Sequence, residues 1–471
     1  MSLKEVAGAS SSGWWSQLVD AVRGTRHDYT DGSLNRAIVL LAVPMVLEMC
    51  MESLFGLVDI FWVGRLGADA IATVGLTETG LTLVFVMAIG LSTGATAIIS
   101  RRTGEKDQAG AGVAAVQAIL LGLAISCAVA VFGYFFAADL LRVLGASSEV
   151  IRTGTGYTQV ILGGSATIFL LFLINAVFRG AGDAAIAMRA LWLANIVNIC
   201  LNPFLIFGWG PFPELGVTGS AVGTTIGRGT GVMYQLWVLQ SGRGRITVRA
   251  PQIRVDLDVM VRLVRLSTTA MFQYLVQMAS WIAVVRIVAT FSSAAVAANT
   301  LAIKIILFAI LPSWGMSNAA ATLVGQNLGA GKPERAEQAV WRTGLYNVLF
   351  LGAVGMLFIV FAEPLIALFT TDPEVVPIAV RGLRLLSYGY LSYAYGMVLS
   401  AAFNGAGDTL TPTVLNLICF WVCQIPLAYV LAIPMGLGPS GAWMAVLAAD
   451  TLLAVLAIIV FRRGKWKRTL V

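Results

Sequence analysis

Twelve apolar runs follow one another along the chain, each long enough to cross a hydrocarbon layer as a helix. They lie at 36–62, 71–99, 110–136, 151–177, 184–209, 217–239, 258–289, 296–322, 336–360, 376–402, 411–433 and 440–461. About 20 predominantly apolar residues suffice to span a bilayer. Backbone amides facing lipid must be bonded within their own segment, so such runs are helices. Apolar residues make up 58% of the 471-residue chain and charged residues 12%. That is about half the charge of a soluble globule. The fold class expected is an all-α integral membrane protein of twelve transmembrane helices.

The same words recur at a constant offset along the chain. FRGAGD begins at Phe178 and FNGAGD at Phe403; FAADLLRVLGASSEV begins at Phe136 and FAEPLIALFTTDPEV at Phe361. Near the sixth and twelfth runs the offset shortens slightly, pairing Gly216 with Gly438. Each copy holds six runs. Six is even, so both copies enter from one face as parallel repeats with a pseudo-two-fold axis along the membrane normal. The division expected is a tail over 1–35, a six-helix bundle over 36–239, a linker over 240–257, a second bundle over 258–461 and a basic tail over 462–471. A short surface helix is expected around Trp14, Trp15 and Leu18. The GAGD segments read as tight turns, with Asp183 and Asp408 placed to cap the next helix.

Loop charge orients the bundle. With the N-terminus inside, the cytoplasmic segments carry Arg101, Arg102, Lys106, Arg179, Arg243, Arg245, Lys332, Arg335 and the basic tail. The opposite loops carry Arg65 and Arg142 against seven acids. The bias places both termini of this multi-pass protein in the cytoplasm; a bacterial or archaeal cytoplasmic (inner) membrane is the expected location. The net charge of +7 is explained by these helix ends and calls for no nucleic acid. No P-loop is present, so direct ATP use is not expected. The five cysteines fall in apolar runs and read as buried small hydrophobes. No cofactor, no nucleophile–base pair and no metal cluster is indicated, which argues against an enzyme.

Charged groups inside a membrane are costly and need a reason. The first run carries Glu48, Glu52 and Asp59 on or near one face. Like charges so placed require a bound cation or protonation, which is the chemistry of a coupling site; packing or capping near the outer surface is the bland reading, strongest for Asp59. The fifth run places Asn198 and Asn202 one turn apart. Pro203 follows and frees a carbonyl one turn earlier. With Thr224 in the sixth run, these are oxygen ligands suited to Na⁺ or partners for a neutral acid; interhelical hydrogen bonding is the alternative. Asn175, in the fourth run, belongs to the same polar set. In the register of the repeat, Gln273 and Gln277 stand where the first copy has Glu48 and Glu52. The halves are therefore electrically unequal: acids in the first, amides plus Arg286 and Lys304 in the second. Candidate cavity contacts are Asn175, Gln273, Gln277, Trp281, Arg286, Lys304 and Tyr388.

From Pro44 through Leu76 the chain resembles the first span and outer turn of the multidrug and toxic compound extrusion (MATE) family. FRGAGD, FNGAGD, NICLNPFLIFG and GVTGSAVGTTIG resemble further signatures, and the likeness covers about 34–461. The resemblance implies an ion-coupled antiporter exporting amphipathic, often cationic compounds against H⁺ or Na⁺. Its first-span acid matches Asp59, and its fifth- and sixth-span polar positions match Asn198, Asn202 and Thr224. Branches resembling DinF often carry Asp where Asn202 stands. Branches resembling NorM carry acids in the seventh and tenth spans, where this chain has Gln277 and no acid between Pro377 and Ala402. The expectation is a monomeric antiporter with a small amphipathic substrate and the lipid bilayer as its partners, and with H⁺ or Na⁺ at Asp59. A flippase for a lipid-linked or amphipathic substrate is the alternative.

Overall fold

The computed structural model describes residues 14–24 and 27–469. The first thirteen residues of the expected tail lie outside them. α1 (Trp14–Arg23) is the expected surface helix. The first six spans are α2 (Leu34–Gly64), α3 (Ala68–Gly104), α4 (Gln108–Val143), α5 (Ser148–Gly163) with α6 (Ser165–Ala181), α7 (Ala184–Phe207) and α8 (Val217–Ser241). The last six are α9 (Leu257–Val288), α10 (Ser293–Gly329), α11 (Pro333–Val360) with the short α12 (Ala362–Ala367), α13 (Val375–Tyr388) with α14 (Tyr390–Ala406), α15 (Leu410–Asn416) with α16 (Ile425–Ala432), and α17 (Pro439–Arg462). Among the described residues ten spans are long and apolar enough to be membrane helices on length and hydropathy alone. The other two are α8, diluted by Thr, Gly and Arg228, and the pair α13–α14, interrupted at Gly389. The layout is two six-helix repeats.

Local chemistry explains the irregularities. The fourth span breaks at Gly164 and the tenth at Gly389, its counterpart in the second copy. The GAGD turns close on Gly182 at φ +87° and Gly407 at φ +86°, a left-handed conformation that glycine adopts without a Cβ clash. Asp408 accepts from the Thr411 amide at 3.1 Å, as expected of a cap. Asp183 does not cap α7. It accepts instead from the backbone of Arg245 and pairs with that guanidinium, so it holds the linker against the first bundle. Between α15 and α16, residues 417–424 widen into a π-helix ahead of Pro426. A proline ring clashes with the carbonyl four residues back and supplies no N–H, and a wider turn relieves both problems.

The halves meet along a seam where glycines let backbones cross. A Cβ on Gly104 would lie 2.0 Å from the Gln326 carbonyl oxygen, and one on Gly329 2.1 Å from that of Arg101. These contacts are images of each other under the repeat. Nearer the middle, a Cβ on Gly90 would approach the Met271 amide at 2.8 Å, and its image Gly315 the Met45 carbonyl at 2.5 Å. All four glycines sit in the half of the molecule that bears the described ends of the chain and the linker, here termed the basic face. Hydrogen bonds between halves follow suit. Thr322 donates to the Arg179 carbonyl at 3.2 Å, Gln326 to the Gly180 carbonyl at 2.8 Å and Arg342 to Asn35 at 2.9 Å. Residues 29–32 straddle the seam: the Tyr29 hydroxyl donates to the Gly182 carbonyl at 3.1 Å, while Arg335 donates to the Asp31 and Gly32 carbonyls. Among the described residues no hydrogen bond joins the halves in the opposite half of the bundle, so the seam is sealed on the basic face.

Filling the seam should loosen it. Gly104→Val is expected to cost about 1–3 kcal/mol, the usual range for overpacking a tight contact. The readout is a lowered thermal midpoint in detergent. Gly56→Val, where a Cβ meets nothing within 4 Å, serves as the control and should shift far less.

Two expectations need correction here. Cys50, Cys127 and Cys200 are exposed on the bundle surface; only Cys419 is buried and Cys423 is intermediate. Lipid solvates a thiol much as an apolar core does, so an apolar run does not imply burial. Arg179 is not in a loop: it lies near the end of α6 with its side chain in the interior.

Candidate functional site

The first bundle builds two separate polar clusters from the residues that its sequence singles out. In the first, Asp59 on α2 is 8% exposed. Its Oδ1 accepts from Asn202 Nδ2 at 2.9 Å and from Ser220 Oγ at 2.8 Å. Asn202 Nδ2 also donates to Asn198 Oδ1 at 3.2 Å, and Asn198 Nδ2 donates to Thr224 Oγ1 at 2.8 Å. The i,i+4 spacing on α7 and again on α8 aligns each pair on one face. Gly223 and Gly227 let the helices approach until a Cβ would lie 2.5 Å from Asn202 Oδ1 and from the Ala194 carbonyl, respectively. Asn202 Oδ1 is buried and has no partner among the described residues. Asp59 makes no ion pair among the described residues. Arg228, one turn beyond Thr224, acts on it only through space. The site is thus a buried carboxylate held by neutral donors and ringed by carbonyl and hydroxyl oxygens, a donor set that suits a proton or a hard monovalent cation.

The second cluster lies nearer the basic face. Glu48 is 1% exposed. Its Oε1 accepts from Arg179 Nη1 and Asn175 Nδ2, both at 2.9 Å. Asn175 Oδ1 in turn accepts from Gln235 Nε2 at 2.6 Å. Glu48 therefore carries its own counter-ion and does not share the oxygen shell of Asp59. Glu52 lies between the two and takes only a long contact from Asn195 Nδ2, 3.4 Å. The structure thus separates three acids that the sequence places on one stripe: Glu48 and Asp59 are about three helical turns apart, roughly 16 Å of rise.

Between the bundles lies a cavity of about 350 Å³. Its wall carries Gln273, Gln277 and Trp281, as expected, and also Tyr274, Trp314, Tyr393 and Met397. The lining includes one base, Arg179, and one carboxylate, Asp450 on α17. Four expected contacts, Arg286, Lys304, Tyr388 and Asn175, do not line it. Arg286 and Lys304 are exposed, and Tyr388 is 55% exposed. Arg286 sits just before the end of α9, where a long side chain reaches polar surroundings; Tyr388 sits at the break before Gly389. Lys304 stands within electrostatic reach of Glu78 instead. Asn175 also lies away from the cavity, in the Glu48 cluster.

Sequence reasoning missed Ser220, Glu78, Arg228 and Asp450. Ser220 is one turn before Thr224 in a segment already singled out, so helical spacing alone points to it. Asp450 interrupts the twelfth apolar run and falls under the same rule that flags Asp59. The second bundle is therefore not without an acid.

Comparison with known proteins follows from this geometry. The family model described as MatE matches the chain twice, over residues 44–204 and 269–430, once in each copy of the repeat. The chain belongs to the MatE family. A probable multidrug resistance protein of Bacillus subtilis, YoeA, is 29% identical over 93% of this chain and 95% of its own length. A probable multidrug resistance protein of Thermotoga maritima, NorM, is 27% identical over 92% and 94%. Among solved structures, a multidrug resistance MATE family transporter in an outward-facing conformation superimposes with a TM-score of 0.87 at 26% identity, over 93% of this chain and 98% of that one. This MatE-family chain is a multi-pass membrane transporter and not an enzyme.

Proposed function

We propose that this transporter is a secondary antiporter that exports amphipathic cations in exchange for H⁺ or Na⁺, with the basic face in the cytoplasm. The observation that carries the reading is the state of Asp59: buried, bonded to Asn202 and Ser220, and without an ion-pair partner among the described residues. A carboxylate so placed gains most from taking a proton or a metal cation, because neutral donors offset only part of its desolvation. Glu48 is the contrast, since Arg179 already neutralises it. The names of the relatives support drug efflux and give the flippase alternative no support.

On this reading the seam sealed on the basic face makes the described state outward-open. The ion enters from outside and reaches Asp59. It draws in the unpartnered Oδ1 of Asn202 and competes for the bonded oxygens of Asn198 and Thr224, shifting α7 and α8 against α2. Drug leaves the central cavity, and the ion-loaded bundle rocks over its glycine seam. The ion's differential affinity for the two states supplies the bias. Purified protein in liposomes, loaded with a cationic dye and given H⁺ and Na⁺ gradients separately, should export dye under at least one. Equal export with and without either gradient sinks the coupling.

A further inference from the structure

We propose that Asp450 recognises the cationic centre of the exported compound, so that drug and coupling ion are held by carboxylates in different halves of the molecule. The choice of ligand rests on the cation-export reading above; the assignment of the site does not need the coupling ion.

The charge balance of the cavity points to Asp450. Among its described lining residues only Arg179 and Asp450 are charged. Arg179 is compensated by Glu48 at 2.9 Å. That leaves the carboxylate of Asp450 as the uncompensated charge of the chamber. It has no hydrogen bond and no ion pair among the described residues, although it stands within electrostatic reach of Tyr393. An ionisable group kept inside a membrane bundle marks a functional site by default, with a substrate or ion as its usual partner.

The walls fit the same partner. Trp281, Trp314, Tyr274 and Tyr393 face the chamber, with Tyr274 and Trp314 rings 6.2 Å apart. Aromatic faces attract organic cations through their quadrupoles and accept apolar substituents as well. Gln273, Asn404 and Asn416 also line the cavity. Each is at least nine-tenths buried, and each has a side-chain oxygen without a partner among the described residues. A carboxylate, aromatic faces and unpartnered amides together describe a site for a lipophilic ammonium or phosphonium ion. An anion finds no free base there.

The test is equilibrium binding in detergent without any gradient, with tetraphenylphosphonium as cationic probe and triphenylphosphine oxide as neutral one. Asp450→Asn should weaken tetraphenylphosphonium about tenfold or more and leave the neutral probe within twofold. Asp450→Glu should restore most of the cation affinity. Wild-type binding that Asp450→Asn leaves unaltered overturns this assignment alone. Loss of both probes with a lowered melting temperature overturns it in favour of a packing role. A wild type that binds neither probe overturns it together with the cation-export reading.

Discussion

Asp59→Asn is expected to reduce gradient-driven export to the passive leak, at least about 100-fold below wild type, while the protein still folds. A factor of that size needs only about 3 kcal/mol, less than the attraction between a monovalent cation and a carboxylate a few ångströms away in a poorly solvated site. The amide keeps the shape of the carboxyl and can still accept from Ser220 at the position of Oδ1, 2.8 Å away in the native site. It cannot release a proton, and it carries no charge for Na⁺. Binding of drug should survive, because the central cavity is lined by other residues. Dye export from proteoliposomes under imposed H⁺ and Na⁺ gradients measures the effect. Asn202→Asp is the informative companion. It adds a second carboxylate 2.9 Å from the first, and two such groups cannot both ionise freely. It should therefore shift the pH dependence of export without abolishing it. Wild-type flux in Asp59→Asn would remove the central role given to this residue.

What could be read in advance follows from the periods involved. Membrane spans are long, and their pattern survives local error. The number of spans was legible from run length, and the internal repeat from turn sequences such as FRGAGD and FNGAGD that recur at one offset. The Asp59 cluster was legible in part: Asn198 with Asn202 lies at i,i+4, and the family resemblance joined that pair and Thr224 to Asp59, while Ser220, one turn before Thr224, went unread. What failed depends on contacts between distant helices. Arg179 looked like a loop residue because it stands just before a glycine turn, yet its side chain reaches inward to Glu48. Nothing in either segment announces that pairing. Lys304 and Arg286 looked like cavity cations because they interrupt apolar runs, but helix rotation decides where they face, and rotation is set by the neighbours. Asp450 was simply passed over, although its apolar context carried the same signal as that of Asp59.

The Glu48–Arg179 pair should dominate the stability of the first bundle. Both side chains are withdrawn from solvent, with exposures of 1% and 11%, and removing one partner leaves the other buried and uncompensated. Glu48→Gln or Arg179→Gln is therefore expected to destabilise by about 3–5 kcal/mol. The double replacement Glu48→Met with Arg179→Met removes both charges, keeps much of the volume, and should be markedly less harmful than either single change. Thermal unfolding in detergent, run as a double-mutant cycle, reads the coupling directly. Additive losses would show that the pair is not a unit. The same pair bears on transport. The backbone carbonyls of Arg179 and Gly180 accept from Thr322 and Gln326 of the other bundle, at 3.2 and 2.8 Å. The end of α6 is thus held from within by Glu48 and from across the seam by α10. Releasing the inner hold should weaken the outer one, so the single mutants should label faster than wild type at a cysteine placed at Ser100, where α3 meets Gly325 in the sealed seam. If the seam stays as closed as in wild type while stability falls, the pair serves the first bundle alone and closure is governed by the glycine crossing.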